Sequence, residues 1–258
     1  MSPIKLVVLI VCAVVFTGLA WFAAPAIDKD KDALLTGGQK QEVEQLIGEY
    51  IRENPTIIVE AIQNLQQRER QAREQQAAQN LSRFKSQLEN DPSSPFVGKQ
   101  DANATIVEFF DYRCPYCKRM LPTIQKLLRE DANIRYVFKE FPILSAESKF
   151  ASEVALATWN FDRDRYLDLH TRLMGAKGGL TKDRVMRIAA STGLDISRLR
   201  LELKSPKIVE ELKNSSRLAQ SLGITGTPAF VIGSRIIPGA TDYATIKKAI
   251  AEARGNSG

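Results

Sequence analysis

Apolar positions change their spacing several times along the chain, and each change marks a different kind of segment. From Leu6 to Ile27 the chain is uncharged and largely apolar, bounded by Lys5 and by Asp28-Lys29-Asp30. Such a run is long enough to cross a bilayer core of about 30 Å as a helix. Ala24-Pro25-Ala26 also offers an A-x-A processing site. Residues 1–27 therefore read as a signal peptide or an N-terminal membrane anchor, and either places the remainder outside the cytoplasm. Cys12 falls inside this run, without the small preceding residue a lipidated cysteine needs, and reads as an apolar residue.

From about residue 38 to 90 the apolar residues recur at three-and-four spacing, the period of a helix. Val43, Leu46, Ile47, Tyr50 and Ile51 make one stripe, Asn54-Pro55 interrupts it, and Ile58, Ile62 and Leu65 begin another. A polar middle from Gln66 to Gln79 precedes Leu81, Phe84 and Leu88. A helix of this length, roughly 50 Å at about 1.5 Å per residue, cannot be buried in a small domain. The apolar ends of this arm are expected to dock against further copies of the chain, with packing on the neighbouring domain as the competing reading. Asp91-Pro92-Ser93-Ser94-Pro95 then reads as a linker over 91–95.

Beyond it the period shortens. Thr105-Ile106-Val107-Glu108-Phe109-Phe110 predicts a central strand buried on both faces, and Ile134 to Phe141 a second strand parallel to it. Between them, Met120, Leu121, Ile124, Leu127 and Leu128 mark a helix. Helical spacing dominates from about 145 to 222. Ala229–Ile232 and Arg235–Ile237, divided by Gly233-Ser234, read as a hairpin. Just before it, Pro228 enters a core strand, which argues for a cis bond or an edge position.

Composition narrows the chemistry. With 258 residues and 44% apolar content the chain supports one full core plus smaller appendages. Its 36 basic and 30 acidic residues give a net charge of +6 without a concentrated basic block, which sets nucleic-acid binding aside. Three cysteines exclude a multi-disulfide scaffold, and a single histidine, His170, excludes a histidine-rich metal site. His170 reads as structural or surface.

The reactive candidates are Cys114 and Cys117 in Cys-Pro-Tyr-Cys, between the first strand and the following helix. Unpaired N–H groups at a helix start favour a thiolate. Cys114 is the expected exposed nucleophile and Cys117, one turn on, lies within reach to resolve a mixed disulfide, with Pro115 suited to an early helix position. A structural disulfide would close a very short loop, and zinc would lack further ligands. Copper(I) held by the two thiolates is the metal alternative. No metal or other cofactor is otherwise implied.

This order of strand, Cys-Pro-Tyr-Cys, helix, strand, helical insertion, Gly226-Thr227-Pro228 and hairpin resembles the DsbA-like branch of the thioredoxin-fold disulfide oxidoreductases over residues 96–258. The resemblance implies an α/β thioredoxin-like domain with a helical insertion, preceded by an N-terminal helical oligomerisation arm. It also implies attack by Cys114, resolution by Cys117, and a buried acid, Glu108, assisting proton transfer at Cys117. Lys139 on the next strand reads either as a partner of Glu108 or as a surface lysine at a strand end. Pro115, Tyr116, Thr227 and Pro228 would contact substrate. Tyr116 in place of histidine and Thr227 in place of valine depart from strong oxidases and, with the arm, make the chain similar to the suppressor-of-copper-sensitivity C (ScsC-like) isomerases.

The implied function is reduction or isomerisation of disulfides in unfolded or misoxidised exported proteins, in the periplasm, secreted, or tethered to the inner membrane by residues 4–27. A membrane redox partner would reset the dithiol, and a homo-oligomer, a trimer favoured, would share several sites. Net oxidation, copper sequestration and an oligomeric holdase are the alternatives.

Overall fold

The computed structural model describes residues 35–255, so the apolar N-terminal run and Cys12 lie outside the described residues. No helix among the described residues is long and apolar enough to cross a membrane. The chain divides into two compact units, residues 1–67 and 68–258.

The first unit holds helix α1, Gly37–Glu53, and the start of α2, Thr56–Glu89. Thr36 opens α1 with a capping box: its hydroxyl accepts from the Gln39 N–H, and the Gln39 side chain accepts from the Thr36 N–H at 2.8 Å. Asn54 ends it, its backbone N–H and its side-chain amide both donating to the Tyr50 carbonyl. No residue of α1 is buried. Leu46, Ile47, Tyr50, Ile62 and Leu65 are each at least half exposed, which leaves a large apolar surface uncovered.

The second unit is built on a five-stranded sheet of order β1-β3-β2-β4-β5. These are β1 Phe96–Gly98, β2 Ala104–Phe110, β3 Ile134–Glu140, β4 Ala229–Ile232 and β5 Arg235–Pro238. Strand β2 runs parallel to β3 and antiparallel to β4, so the expected central strand is central. A hairpin joins β4 to β5. Gly233, at φ +57°, makes its turn where an added Cβ would stand 2.9 Å from Ala253.

Helix α3, Pro115–Glu130, connects β2 to β3. The insertion then supplies α4 Ala146–Phe161, α5 Arg163–Gly175, α6 Lys182–Ser191, α7 Ile196–Glu202 and α8 Pro206–Ser221, and α9, Tyr243–Gly255, closes the domain.

Strand alternation separates two cores. Ile106 and Phe110 of β2, Tyr136 and Phe138 of β3, and Phe230 and Ile232 of β4 face one core, shared with α3 and most of the insertion. Val107, Phe109, Val137 and Val231 face the other, together with Leu218 and Leu222 at the end of α8. Leu81 and Leu88 of α2 are buried in that second core, with Phe84 packed against it. The far apolar end of the arm helix is thus covered by its own domain rather than by another copy.

The 91–95 stretch differs from a free linker as well. Ser94 is buried and donates to Glu211 at 2.8 Å, while Asp91 accepts from the Ser93 N–H. Lys139, buried on β3, donates to Asp91 at 3.0 Å and to Ser94 at 2.6 Å. A buried ammonium needs such acceptors, and the turn supplies them.

Candidate active site

Strand β2 delivers the chain to the cysteines through Asp111, whose buried carboxylate accepts from the Arg113 N–H at 2.7 Å and the Leu144 N–H at 3.0 Å. The Asp111 carbonyl accepts from the Cys114 N–H at 3.0 Å. This turn sets Cys114 as the N-cap of α3, with Pro115 in the first turn where no N–H is needed. Cys114 and Cys117 are free thiols, and the Cys117 N–H donates to Cys114 Sγ at 3.4 Å.

Cys114 is 3% exposed, which corrects the expectation of an exposed nucleophile. The reason is the loop before β4. The Thr227–Pro228 peptide bond is cis, and the Thr227 carbonyl accepts from the Cys114 thiol at 3.2 Å. Pro228 is buried, and its carbonyl accepts from the Gly239 N–H at 2.8 Å, holding the loop to the end of β5. Tyr116, by contrast, is 53% exposed and stacks under the Arg119 guanidinium.

Glu108 lies beneath the pair, 4% exposed, and accepts from the Tyr136 hydroxyl at 2.6 Å. Burial raises its carboxyl from the usual 4.5 to about 7, against the opposing effect of that hydrogen bond. Cys117 is pushed far above an ordinary thiol, first by burial and next by the nearby charge of Glu108. Glu108 thus lies close enough to Cys117 to act on its thiol, and it does not face Lys139. Lys139 follows Phe138, the parallel-register neighbour of Glu108, and so points to the opposite face.

A second buried network braces the same segment and carries no signal in the motif itself. The Tyr112 hydroxyl donates to Glu140 at 3.1 Å and stands 3.1 Å from His170 Nδ1. Ser152 and Tyr166 also donate to Glu140, at 2.7 and 3.4 Å. Burial raises Glu140 to about 8 and lowers His170 to about 3, so both are neutral at pH 7. Next to the cysteines, Lys118 donates to the carbonyls of Met174 and Ala176 at 3.2 and 2.6 Å, tying the end of α5 to α3. Arg113 forms an ion pair with Glu147 at the start of α4.

Comparison with known proteins matches residues 105–251 to the DSBA-like thioredoxin domain and residues 39–72 to the copper resistance protein ScsC N-terminal domain. The crystal structure of Proteus mirabilis ScsC in a transitional conformation is 35% identical. It covers 86% of this chain and 100% of that one, at a TM-score of 0.64. Disulfide bond formation protein D of Bacillus subtilis is 27% identical over 173 residues, 60% of this chain and 75% of that protein. A Na(+)/H(+) antiporter NhaA 1 of Salinispora arenicola is 28% identical over 166 residues, and the match spans 25% of its length. The main match takes in more than half the chain and includes all of β2 but its first residue, both cysteines, the insertion and the cis-proline loop. The chain belongs to the DsbA-like family of thioredoxin-fold thiol-disulfide oxidoreductases, and it carries an ScsC-type N-terminal arm.

Proposed function

We propose that the protein reduces and isomerises disulfides in exported polypeptides, with Cys114 as nucleophile, Cys117 as resolving thiol and Glu108 as the proton acceptor and donor at Cys117. The observation that carries this reading is the asymmetry of the pair. Cys114 caps a helix beneath a backbone carbonyl, while Cys117 is buried against a carboxyl that raises it.

In the first step the Cys114 thiolate attacks one sulfur of a substrate disulfide. The substrate S–S bond breaks, a mixed disulfide forms, and the other substrate sulfur leaves as a thiolate. For isomerisation, that thiolate attacks another substrate disulfide, and a substrate thiolate finally displaces Cys114. For reduction, Cys117 gives its proton to Glu108 and attacks Cys114 Sγ. The substrate sulfur leaves as a thiolate that takes its proton from solvent, and the pair becomes a disulfide that a dithiol partner returns to the reduced state with two electrons and two protons. The high cost of ionising Cys117 slows this escape and leaves time for rearrangement.

Pro115 and Tyr116 on one side of Cys114, and Thr227 with Pro228 on the other, form the substrate-contacting rim. The exposed apolar face of α1 and the start of α2 supports self-association, a trimer favoured, which would present several sites to one substrate. The apolar run at residues 6–27 supports export, either by a cleaved signal or by a membrane tether.

The test is recovery of a scrambled-disulfide protein in a redox buffer that keeps the pair reduced. Recovery well above buffer alone, abolished by Cys114→Ser, is expected; Cys117→Ser is expected to accumulate mixed disulfides that Cys114→Ser does not. Recovery no faster than buffer alone sinks the isomerase reading and favours net oxidation. Equal loss of bound copper(I) in both cysteine variants, with no trapped intermediate, favours metal sequestration.

A further inference from the structure

The helical insertion holds a cleft that the thiol chemistry does not use. It is an open groove formed by Phe150 of α4 together with α6 and α7, with a volume of about 830 Å³. Partly buried Phe150, Met186, Ile196 and Leu203 give it an apolar floor, beside Leu201, which is 67% exposed. Exposed Lys182, Arg187, Arg200 and Lys204 stand around this floor against one carboxylate, Asp183.

None of these four cations has an ion-pair partner among the described residues, and Lys182 leans over the Phe150 ring instead. Some surface cations, such as Lys149, Arg172, Arg217, Arg235 and Arg254, are each paired with a carboxylate, and others, such as Lys207 and Lys213, have no such partner among the described residues; what sets these four apart is that they stand around one apolar floor. An apolar floor ringed by unpaired cations is complementary to a segment that carries both carboxylates and apolar side chains.

The cleft is also connected to the cysteine site. Arg113, the residue before Cys114, pairs with Glu147, and Glu147 accepts from the Leu180 N–H, next to the Thr181 cap of α6. Lys118, the residue after Cys117, is lowered by burial first and by the charge of Arg184 on α6 next. A chain held at Cys114 is thus close to the end of α6 where Lys182 begins the cleft. This continuity favours a polypeptide that reaches both places over a membrane lipid.

We propose that the α4–α6–α7 cleft is an accessory docking site for an acidic, partly apolar segment of the same polypeptide whose disulfide is engaged by Cys114. The proposal rests on the oxidoreductase reading above and adds a preference among its substrates.

The experiment measures fluorescence anisotropy of a labelled, cysteine-free peptide of alternating glutamate and leucine, with an isosteric glutamine-and-leucine peptide as control. Binding of the acidic peptide is expected in the unmodified protein and equally in Cys114→Ser. Affinity is expected to fall about tenfold or more for the glutamine peptide, and to weaken as salt screens the rim. The double variant Arg187→Glu/Arg200→Glu should lose it, and Lys182→Glu/Lys204→Glu provides a second, independent pair. In turnover, both double variants should raise KM for a disulfide substrate with an acidic flank, at unchanged kcat, and leave a small-molecule disulfide unaffected.

Equal affinity for the two peptides, or undiminished binding by both double variants, overturns the proposal. So does sedimentation with phosphatidylglycerol vesicles in the absence of peptide binding. Failure of the oxidoreductase reading would instead appear as inactivity of the unmodified protein toward the small-molecule disulfide.

Discussion

Two buried carboxyls on one face of the sheet, Glu108 and Glu140, are set differently by their neighbours. Glu108 receives one hydrogen bond and sits by the Cys117 thiol, whereas Glu140 receives three, from Tyr112, Ser152 and Tyr166. Replacing Glu108 with Gln should slow attack by Cys117 on a Cys114 mixed disulfide by about tenfold or more and remove the inflection near pH 7. Quenched-flow release of a labelled thiol measures this, and an unchanged pH profile would remove Glu108 from the proton path.

For Glu140 the consequence is stability. The unfolded chain ionises this group near 4.5 and the folded chain near 8, so the folded state holds the extra proton between those values. Its contribution is fully present below about pH 4.5, declines by about 1.4 kcal/mol per pH unit through the window, and is lost above about pH 8. Glu140→Gln should therefore flatten the fall in stability between pH 5 and 8.5, read by urea unfolding; parallel curves for variant and parent would contradict it.

At the scale of elements, the end of α2 and the turn after it are held by Lys139. Its ammonium lies 3.0 Å from Asp91 and 3.8 Å from Glu211, with side-chain exposures of 1, 20 and 5% respectively. Burial raises Glu211. At Asp91 burial opposes the charge, but Lys139 and the hydrogen bonds of the turn outweigh it and hold the carboxyl low. Lys139→Met strands these acids and should cost about 3 kcal/mol, since breaking a buried ion pair from one side leaves the other charge uncompensated. Adding Glu211→Gln should restore part of that loss. Full additivity of the two changes in denaturant unfolding would show that the groups do not interact.

Periodicity identified most of these elements. Six positions of β2, the helix after the cysteines, the second strand and the hairpin were legible because apolar spacing is set locally. The partner of Glu108 was less obvious. Alternation along β3 excludes Lys139 and admits Tyr136, but the register that brings Glu108 opposite Phe138 is a tertiary fact. Tyr112, Glu140 and His170 lie up to 58 residues apart, with no spacing rule to join them.

For the whole molecule, the uncovered apolar surface of α1 and early α2 sets the expectation. Removing residues 35–67 should lower the number of chains per particle, read as molar mass by light scattering divided by the mass of the shortened chain. It should also lower recovery of scrambled disulfides far more than reduction of a small disulfide, because shared sites matter for holding a loosened protein. An unchanged number of chains per particle would reject the arm as the assembly element.

The amino-acid sequence by itself determined the α/β order, the helical arm, the Cys-Pro-Tyr-Cys pair at a helix start and the unusual proline at the entry to a core strand. Each is written in local spacing or in residues with restricted backbone chemistry. Tertiary structure decided that Cys114 is covered by the Thr227 carbonyl, that Leu81 and Leu88 are buried by their own domain, and that Lys139 faces away from Glu108. Those outcomes depend on which face of a strand meets which helix, and on residues far apart in the chain competing for the same buried acceptors.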